Sequence, residues 1–227
     1  MVTGFFVTGT DTGIGKTTVS CALLHTFAAQ GKKVVGMKPI AAGSENGKWL
    51  DVERLLAASN ISVTHQQINP YAFDPPISPH IAAQQAGTEI DLALIHQAYQ
   101  ELKNKADIVI VEGAGGFLVP INQSQNGSDL AQALNLPVIL VVGMRLGCLN
   151  HALLTVQAIR AAGLNLAGWV ANCTDPQMQV LKQNIATLEQ WLNCSLLGVL
   201  PFDKKIDIQE NVISVDIIKL QNCALWL

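Results

Sequence analysis

The amino-acid sequence predicts an α/β fold, a parallel sheet with helices on both faces, and three observations lead to it. First, short apolar runs recur at Phe5–Val7, Val34–Met37, Ile108–Val111, Val138–Val142, Leu166–Val170 and Leu196–Leu200. They are apolar without alternation, which suits strands covered on both sides. Second, Val19–Ala29, Glu89–Asn104, Asp129–Asn135, Asn150–Ala162 and Gln177–Asn193 lie between those runs and read as helices. The alternation implies right-handed crossovers. Third, a chain of 227 residues that is 49 % hydrophobic suits one domain, residues 1–227, with a large core. Ligands of such sheets bind beyond the carboxyl ends of the strands, so the residues just after each run carry the functional information.

The first run opens GFFVTGTDTGIGKTT. Gly9, Gly13 and Gly15 let the backbone turn tightly and aim N–H groups at an anion, as in a nucleotide-phosphate loop. Lys16 is placed to reach the terminal phosphates and the Thr17 hydroxyl to meet Mg²⁺, while the helix that follows adds its positive N-terminus. The wording departs from the strict motif, because five residues rather than four separate Gly9 from Gly15, and Thr10 replaces the first motif glycine. The loop between an apolar strand and a helix makes the expected fold a P-loop NTPase-like single domain.

After the second run, Met37-Lys38-Pro39 ends in a proline that keeps the segment extended and projects Lys38 from the strand edge. Alone, such a lysine is a solvated charge; beside a phosphate loop it is a candidate to stabilise a transferring phosphoryl or acyl group. Asp51 alone reads as an N-terminal aspartate of the helix that continues through Val52–Leu56. After the third run comes Glu112, then Gly113, Ala114 and Gly115, a metal-and-substrate corner, since an acid at this place in phosphate-loop proteins holds Mg²⁺, and the three residues after it are candidates to bind the nucleotide. After the fourth, Gly147, Cys148, Leu149 and Asn150 start a helix whose free N–H groups suit a carboxylate, if they are more than an ordinary helix start. After the fifth and sixth, Asn172 is a candidate for a purine edge, and Pro201-Phe202 for the wall of the base. His80, within Ser78-Pro79-His80, reads as structural.

Net charge is −3 with no block of like charges, which disfavours a nucleic-acid surface and leaves a small anionic ligand. Cys21, Cys148, Cys173, Cys194 and Cys223 are odd in number and never form C-x-x-C, so neither a disulfide framework nor a zinc site is indicated. The longest apolar run, Pro137–Met144, is too short to span a bilayer, and no charged leader precedes a signal-like core. The expectation is a cytoplasmic protein with no membrane partner.

GTDTGIGKT, KPIAAGS, NPYAFDPPISPH, VEGAGG, PVILVVGMRLGCLNH and AGWVAN, in this order from about Phe5 to Pro201, resemble the dethiobiotin synthetase family. The resemblance implies an ATP- and Mg²⁺-dependent cyclo-ligase of biotin biosynthesis. In that reaction 7,8-diaminononanoate and CO₂ form a carbamate, ATP activates it as a carbamic–phosphoric anhydride, and the ureido ring closes. Gly13, Ile14, Gly15, Lys16, Thr17 and Thr18 would then hold phosphates, Thr17, Asp51 and Glu112 would serve Mg²⁺, and Lys16, Lys38 and Thr12 would face the reacting groups. Asn172 would read adenine. Gly147–Asn150 of a partner subunit would take the distal carboxylate, which requires a homodimer. Ala42 stands where a substrate-contacting serine is common and forfeits about 0.5–1.5 kcal/mol of hydrogen bonding unless something replaces it. Cys173 stands where an aspartate is frequent, and the Lys38–Asp51 segment is short for the family.

Two other classes share features of this loop. Partition and septum-placement ATPases carry a lysine near the loop start, where this chain has Asp11 and Thr12, and a basic amphipathic C-terminal helix, where it has the apolar tail Gln221–Leu227. Corrinoid amidoligases normally add a glutaminase domain, for which this length leaves no room.

Overall fold

Apolar runs covered on both sides become the central strands of a parallel sheet. The computed structural model describes residues 4–202; expectations about Cys223, the Gln221–Leu227 tail and the two ends of the 1–227 domain lie outside them. The chain runs β1 (Gly4–Gly9), α1 (Lys16–Ala29), β2 (Val34–Met37), β3 (Ile40–Ala42), α2 (Leu50–Ala58), α3 (His65–Ile68), β4 (Tyr71–Phe73) and α4 (Pro79–Gln85). It continues α5 (Leu92–Lys103), β5 (Ile108–Glu112), α6 (Gly127–Leu134), β6 (Val138–Met144), α7 (Cys148–Ala161), β7 (Leu166–Cys173), α8 (Leu181–Leu192) and β8 (Leu196–Leu200).

The main sheet has the order β2-β5-β1-β6-β7-β8 with every pairing parallel. Burial is complete along β1, β2, β5 and β6. Side chains alternate between faces. Phe5, Val7, Val34 and Ile110 pack on Val19, Leu23, Leu24 and Phe27 of α1. Phe6, Met37, Val109 and Val111 meet Ile95, Tyr99 and Leu102 of α5 and Leu130 of α6. Leu140, Val142 and the fully buried Trp169 share that second face with Val156 of α7 and Leu188 and Leu192 of α8. Helices therefore cover both faces, as the sequence predicts.

Several boundaries differ from expectation for local reasons. α6 starts before Asp129 because Asn126 is its cap: the Asn126 side chain accepts from Ser128 N at 2.7 Å, and Asp129 accepts from Asn126 N at 2.7 Å. α8 starts at Leu181, after Val180 in the left-handed region at φ 53°. β7 runs on to Cys173 because its register with β6 persists, so Asn172 lies within the strand rather than after it. Asp51 is not a cap; Trp49 precedes the helix and Asp51 sits in its first turn. The pair β3 and β4, each three residues long, forms a separate parallel sheet that no sequence pattern announces.

This small sheet fixes the strand edge that carries Lys38. Lys38 N donates to Ile68 O at 2.8 Å, and the buried Asn69 amide donates to Lys38 O at 2.6 Å and Tyr71 O at 3.0 Å. Replacing Asn69 by Ala leaves two carbonyls without that donor. Asn69→Ala is expected to lower the unfolding free energy by about 1–3 kcal/mol in urea titration, and a loss under about 0.5 kcal/mol would show that the two carbonyls find other donors.

Candidate functional site

Sheet order creates the site. β2, β5 and β1 are neighbours, and the register Met37↔Val111 and Val7↔Glu112 brings their carboxyl ends level, so Lys38, Glu112 and the Gly-rich loop emerge side by side. The strand order reverses direction at β1, where open α/β sheets bind their ligands.

Gly15 caps α1 in the left-handed region at φ 87°, and a β-carbon there would lie 2.1 Å from Asn172 Nδ2. Glycine is required twice over, by conformation and by space. Asn172 Nδ2 donates to Ile14 O at 2.7 Å, so this amide braces the back of the loop from β7. The bond Val19 N to Gly15 O, 3.1 Å, is the first of α1 and leaves the N–H groups of Lys16, Thr17 and Thr18 at the open helix end. That end suits an anion. Lys16 Nζ donates to Asp11 O at 2.8 Å, Asp11 Oδ1 accepts from Thr12 N at 2.7 Å, and Asp11 Oδ2 pairs with Arg145.

Lys38 Nζ lies 2.9 Å from Asp51 Oδ2 and 2.6 Å from Glu112 Oε1. Thr17 Oγ1 lies 2.7 Å from Asp51 Oδ1 and 2.9 Å from Glu112 Oε1, so its single proton serves one acceptor at a time. Lys38, Thr17 and Glu112 are buried, while Asp51 is half-exposed. Burial disfavours the Lys38 charge, yet Glu112 and Asp51 outweigh it and hold its pKa above the ordinary value. Burial likewise pushes Asp51 up, and Lys38 with Thr17 brings it below the usual carboxylate value. For Lys16, burial first and Lys38 second outweigh the upward pull of Glu112, Asp51 and Asp11 and bring it down to about 8.

The donor set fits Mg²⁺. Two carboxylates and a hydroxyl converge, and among the described residues no group of three or more His, Cys, Asp and Glu forms a cage for a metal ion. Mg²⁺ characteristically takes few protein oxygens and keeps waters or phosphate oxygens. Glu112 Oε2 is buried with no hydrogen-bond partner, an acceptor that a nearby cation would compensate.

The cluster lies in a cleft of about 930 Å³ whose lining includes Thr12, Gly13, Gly15, Lys16, Thr17, Lys38, Ala42, Asp51, Glu112, Ala114 and Gly115. Ala42 brings a methyl and no hydroxyl to that wall. Ile14, Thr18, Gly113, Asn172, Pro201 and the Gly147–Asn150 turn do not line it, and neither does His80. Sequence reasoning did not single out Trp49, Leu50, Arg54, Ile77 and Ile81, which also line the cleft. One signal was available, because Arg54 follows Asp51 by three residues and so shares its helix face.

A parallel sheet of this order, with a glycine-capped helix after β1 and an acid ending β5, defines the phosphate-loop nucleotide-binding class. A family model described as AAA domain matches residues 3–210. The ATP-dependent dethiobiotin synthetase BioD of Nitrosospira multiformis is 65 % identical over 217 residues, covering 96 % of each chain. That of Aromatoleum aromaticum is 52 % identical over 201 residues, covering 87 % of this chain and 89 % of the relative. The chain belongs to the dethiobiotin synthetase family. Among solved structures, the septum site-determining protein MinD of Pyrococcus horikoshii, complexed with Mg-ADP, superposes with a TM-score of 0.64 at 16 % identity over 97 % of this chain and 94 % of that one. MinD of Aquifex aeolicus gives 0.60 at 15 % identity, covering 100 % and 98 %. At such identities the likeness is one of fold.

The depressed Lys16 pKa has a thermodynamic consequence. A bound polyphosphate favours the ammonium, so between about 8 and the ordinary 10.5 binding takes up a proton, and affinity falls as pH rises. In the empty protein the unfolded chain binds more protons over the same window, so stability rises with pH there. Calorimetry of MgADP binding at about pH 8.5, in buffers of differing ionisation enthalpy, is expected to show proton uptake; equal heats would refute it.

Proposed function

We propose that this protein is an ATP-dependent dethiobiotin synthetase acting as one domain over residues 1–227, with the cleft at the ends of β1, β2 and β5 as its active site. The observation that carries the reading is the convergence of Lys16, Thr17, Lys38, Asp51 and Glu112 in that cleft, in a chain 65 % identical to a dethiobiotin synthetase. The substrates are 7,8-diaminononanoate, CO₂ and ATP.

One diamine nitrogen adds to CO₂ and loses a proton to become a carbamate. A carbamate oxygen attacks the γ-phosphorus, the bond to the β-phosphate oxygen breaks, and ADP leaves. The second nitrogen then attacks the carbonyl carbon of the carbamic–phosphoric anhydride and expels phosphate, closing the ureido ring of dethiobiotin. Each step develops charge on oxygen, and the chain meets it with fixed groups rather than a nucleophile. The N–H groups from Gly13 to Thr18 hold the phosphates, with Ile14 shaping the loop. Lys16 follows the terminal phosphates, and Lys38 and Thr12 face the carbamate. Thr17, Asp51 and Glu112 would hold Mg²⁺, which when bound neutralises phosphate charge. Gly113, Ala114 and Gly115 approach the nucleotide, Asn172 and Pro201 lie toward the adenine, and Ala42 borders the diamine.

The distal carboxylate belongs, in this reading, at the Gly147–Asn150 turn of a neighbouring subunit of a homodimer. Two observations support it: the turn does not line its own chain's cleft, and Leu146 beside it is 98 % exposed. The reading places the enzyme in the cytoplasm; among the described residues no helix is long and apolar enough to cross a membrane.

Product analysis by mass spectrometry is the direct test: dethiobiotin should form only with MgATP, the diamine and CO₂ together. ATP hydrolysis indifferent to diamine and CO₂ would defeat the proposal. Lys38→Met should reduce turnover far more than MgADP affinity, and should lower the stability of the empty protein by about 3–5 kcal/mol, because Glu112 is left buried and unpaired. Unchanged turnover would remove Lys38 from the chemistry. Dilution through the dimer equilibrium should raise the KM for diamine, whereas a fully active monomer would rule out a shared site.

A further inference from the structure

We infer that Arg54 is a further nucleotide-binding residue, which together with the Thr18 hydroxyl grips the phosphate chain. The inference rests on the reading of the cleft as an ATP site.

Thr18 follows Thr17 in the first turn of α1, about 100° further round the axis. Thr17 is turned to Asp51 and Glu112, so Thr18 is turned elsewhere, and what it meets is Arg54: Arg54 Nη2 donates to Thr18 Oγ1 at 3.2 Å. Arg54 stands three residues after Asp51 on α2, so one helix face supplies both. Its backbone is held against α1 by Cys21 Sγ, which lies 3.6 Å from Arg54 O, and Cys21 is itself three residues beyond Thr18. The placement of the guanidinium is thus built into the α1–α2 contact.

The chemistry of this pair calls for an anion. Arg54 lines the cleft and is exposed, and among the described residues no carboxylate lies within ion-pair distance of it. Of its five N–H donors one is spent on Thr18, and the rest form a planar fork of the kind that engages phosphate oxygens two at a time. Because Thr18 Oγ1 accepts from Arg54, its own proton is left for a second acceptor. The free N–H groups of α1 belong to the same first turn as Thr18, so helix N–H groups, hydroxyl and guanidinium would serve one anion held at that end. Lys38 is occupied by two carboxylates and Lys16 donates to the Asp11 carbonyl, so Arg54 joins Lys16 as a cleft cation with no described carboxylate within ion-pair distance, and its fork is the less committed of the two.

Calorimetry of MgADP binding and steady-state kinetics on Arg54→Gln and Arg54→Lys test this. Arg54→Gln is expected to weaken MgADP binding about tenfold and raise the KM for ATP similarly, with kcat, the KM for diamine and the melting temperature of the empty protein unchanged. Arg54→Lys should recover part of the loss, since it restores charge without the fork. MgADP affinity in Arg54→Gln within about twofold of wild type, or a shift confined to the KM for diamine, overturns the inference and leaves the ATP site standing. Wild-type protein that does not bind MgADP overturns both.

Discussion

The Lys38 ammonium lies 2.9 and 2.6 Å from Asp51 and Glu112, and the remainder of the cleft is arranged around that contact. Glu112 and Lys38 are both buried, and buried charges of opposite sign are accommodated when they are paired. Each is tolerable because of the other. The pairing in turn requires β2 and β5 to be adjacent and level, and it draws Asp51 down from α2 to close the ring. Thr17 completes it from β1's side, so one ion-pair network ties three strands to the first helix.

Around this core the backbone is held from two directions. Asn69 and Ile68 grip Lys38 from beneath, and Asn172 grips Ile14 from the far side of the loop. Both clamps are side-chain amides or carbonyls meeting backbone groups, which hold position without adding charge. The electrostatics are therefore left to the ionic groups, and the asymmetry between the two lysines follows. Lys38, with two carboxylates in contact, is held above its ordinary pKa, and Lys16, which feels those carboxylates without an ion pair to them, is held below it by burial.

What was legible in the sequence was local. The apolar runs and the Gly-rich loop mark themselves by residue type and spacing, and the fold class follows from their alternation. Glu112 and Lys38 stand out because each directly follows such a run. β3 and β4 were not legible, since three residues beside Pro39 or in a Pro-rich stretch carry no periodicity and exist only through each other. Asn172 stood out only as a candidate for a purine edge, not as a brace of the loop. Its bond to Ile14, across 158 positions, depends on β6 lying between β1 and β7. Arg54 acquires meaning only when α2 is laid against α1. The 65 % identical relative establishes the family, while the standing of each side chain comes from geometry.

Thr17 and Glu112 meet across 95 positions of the chain, and Lys38 and Glu112 across 74. No single hairpin, helix or contiguous fragment contains the cleft, so it comes into being only with the finished sheet. Any opening that parts β2 from β5 dissolves it at once, even while α7, α8 and the β6–β8 half stay packed. An anion or cation held by these groups therefore acts as a fastener between remote stretches of polypeptide, and its occupancy is coupled by mass action to the persistence of one edge of the sheet.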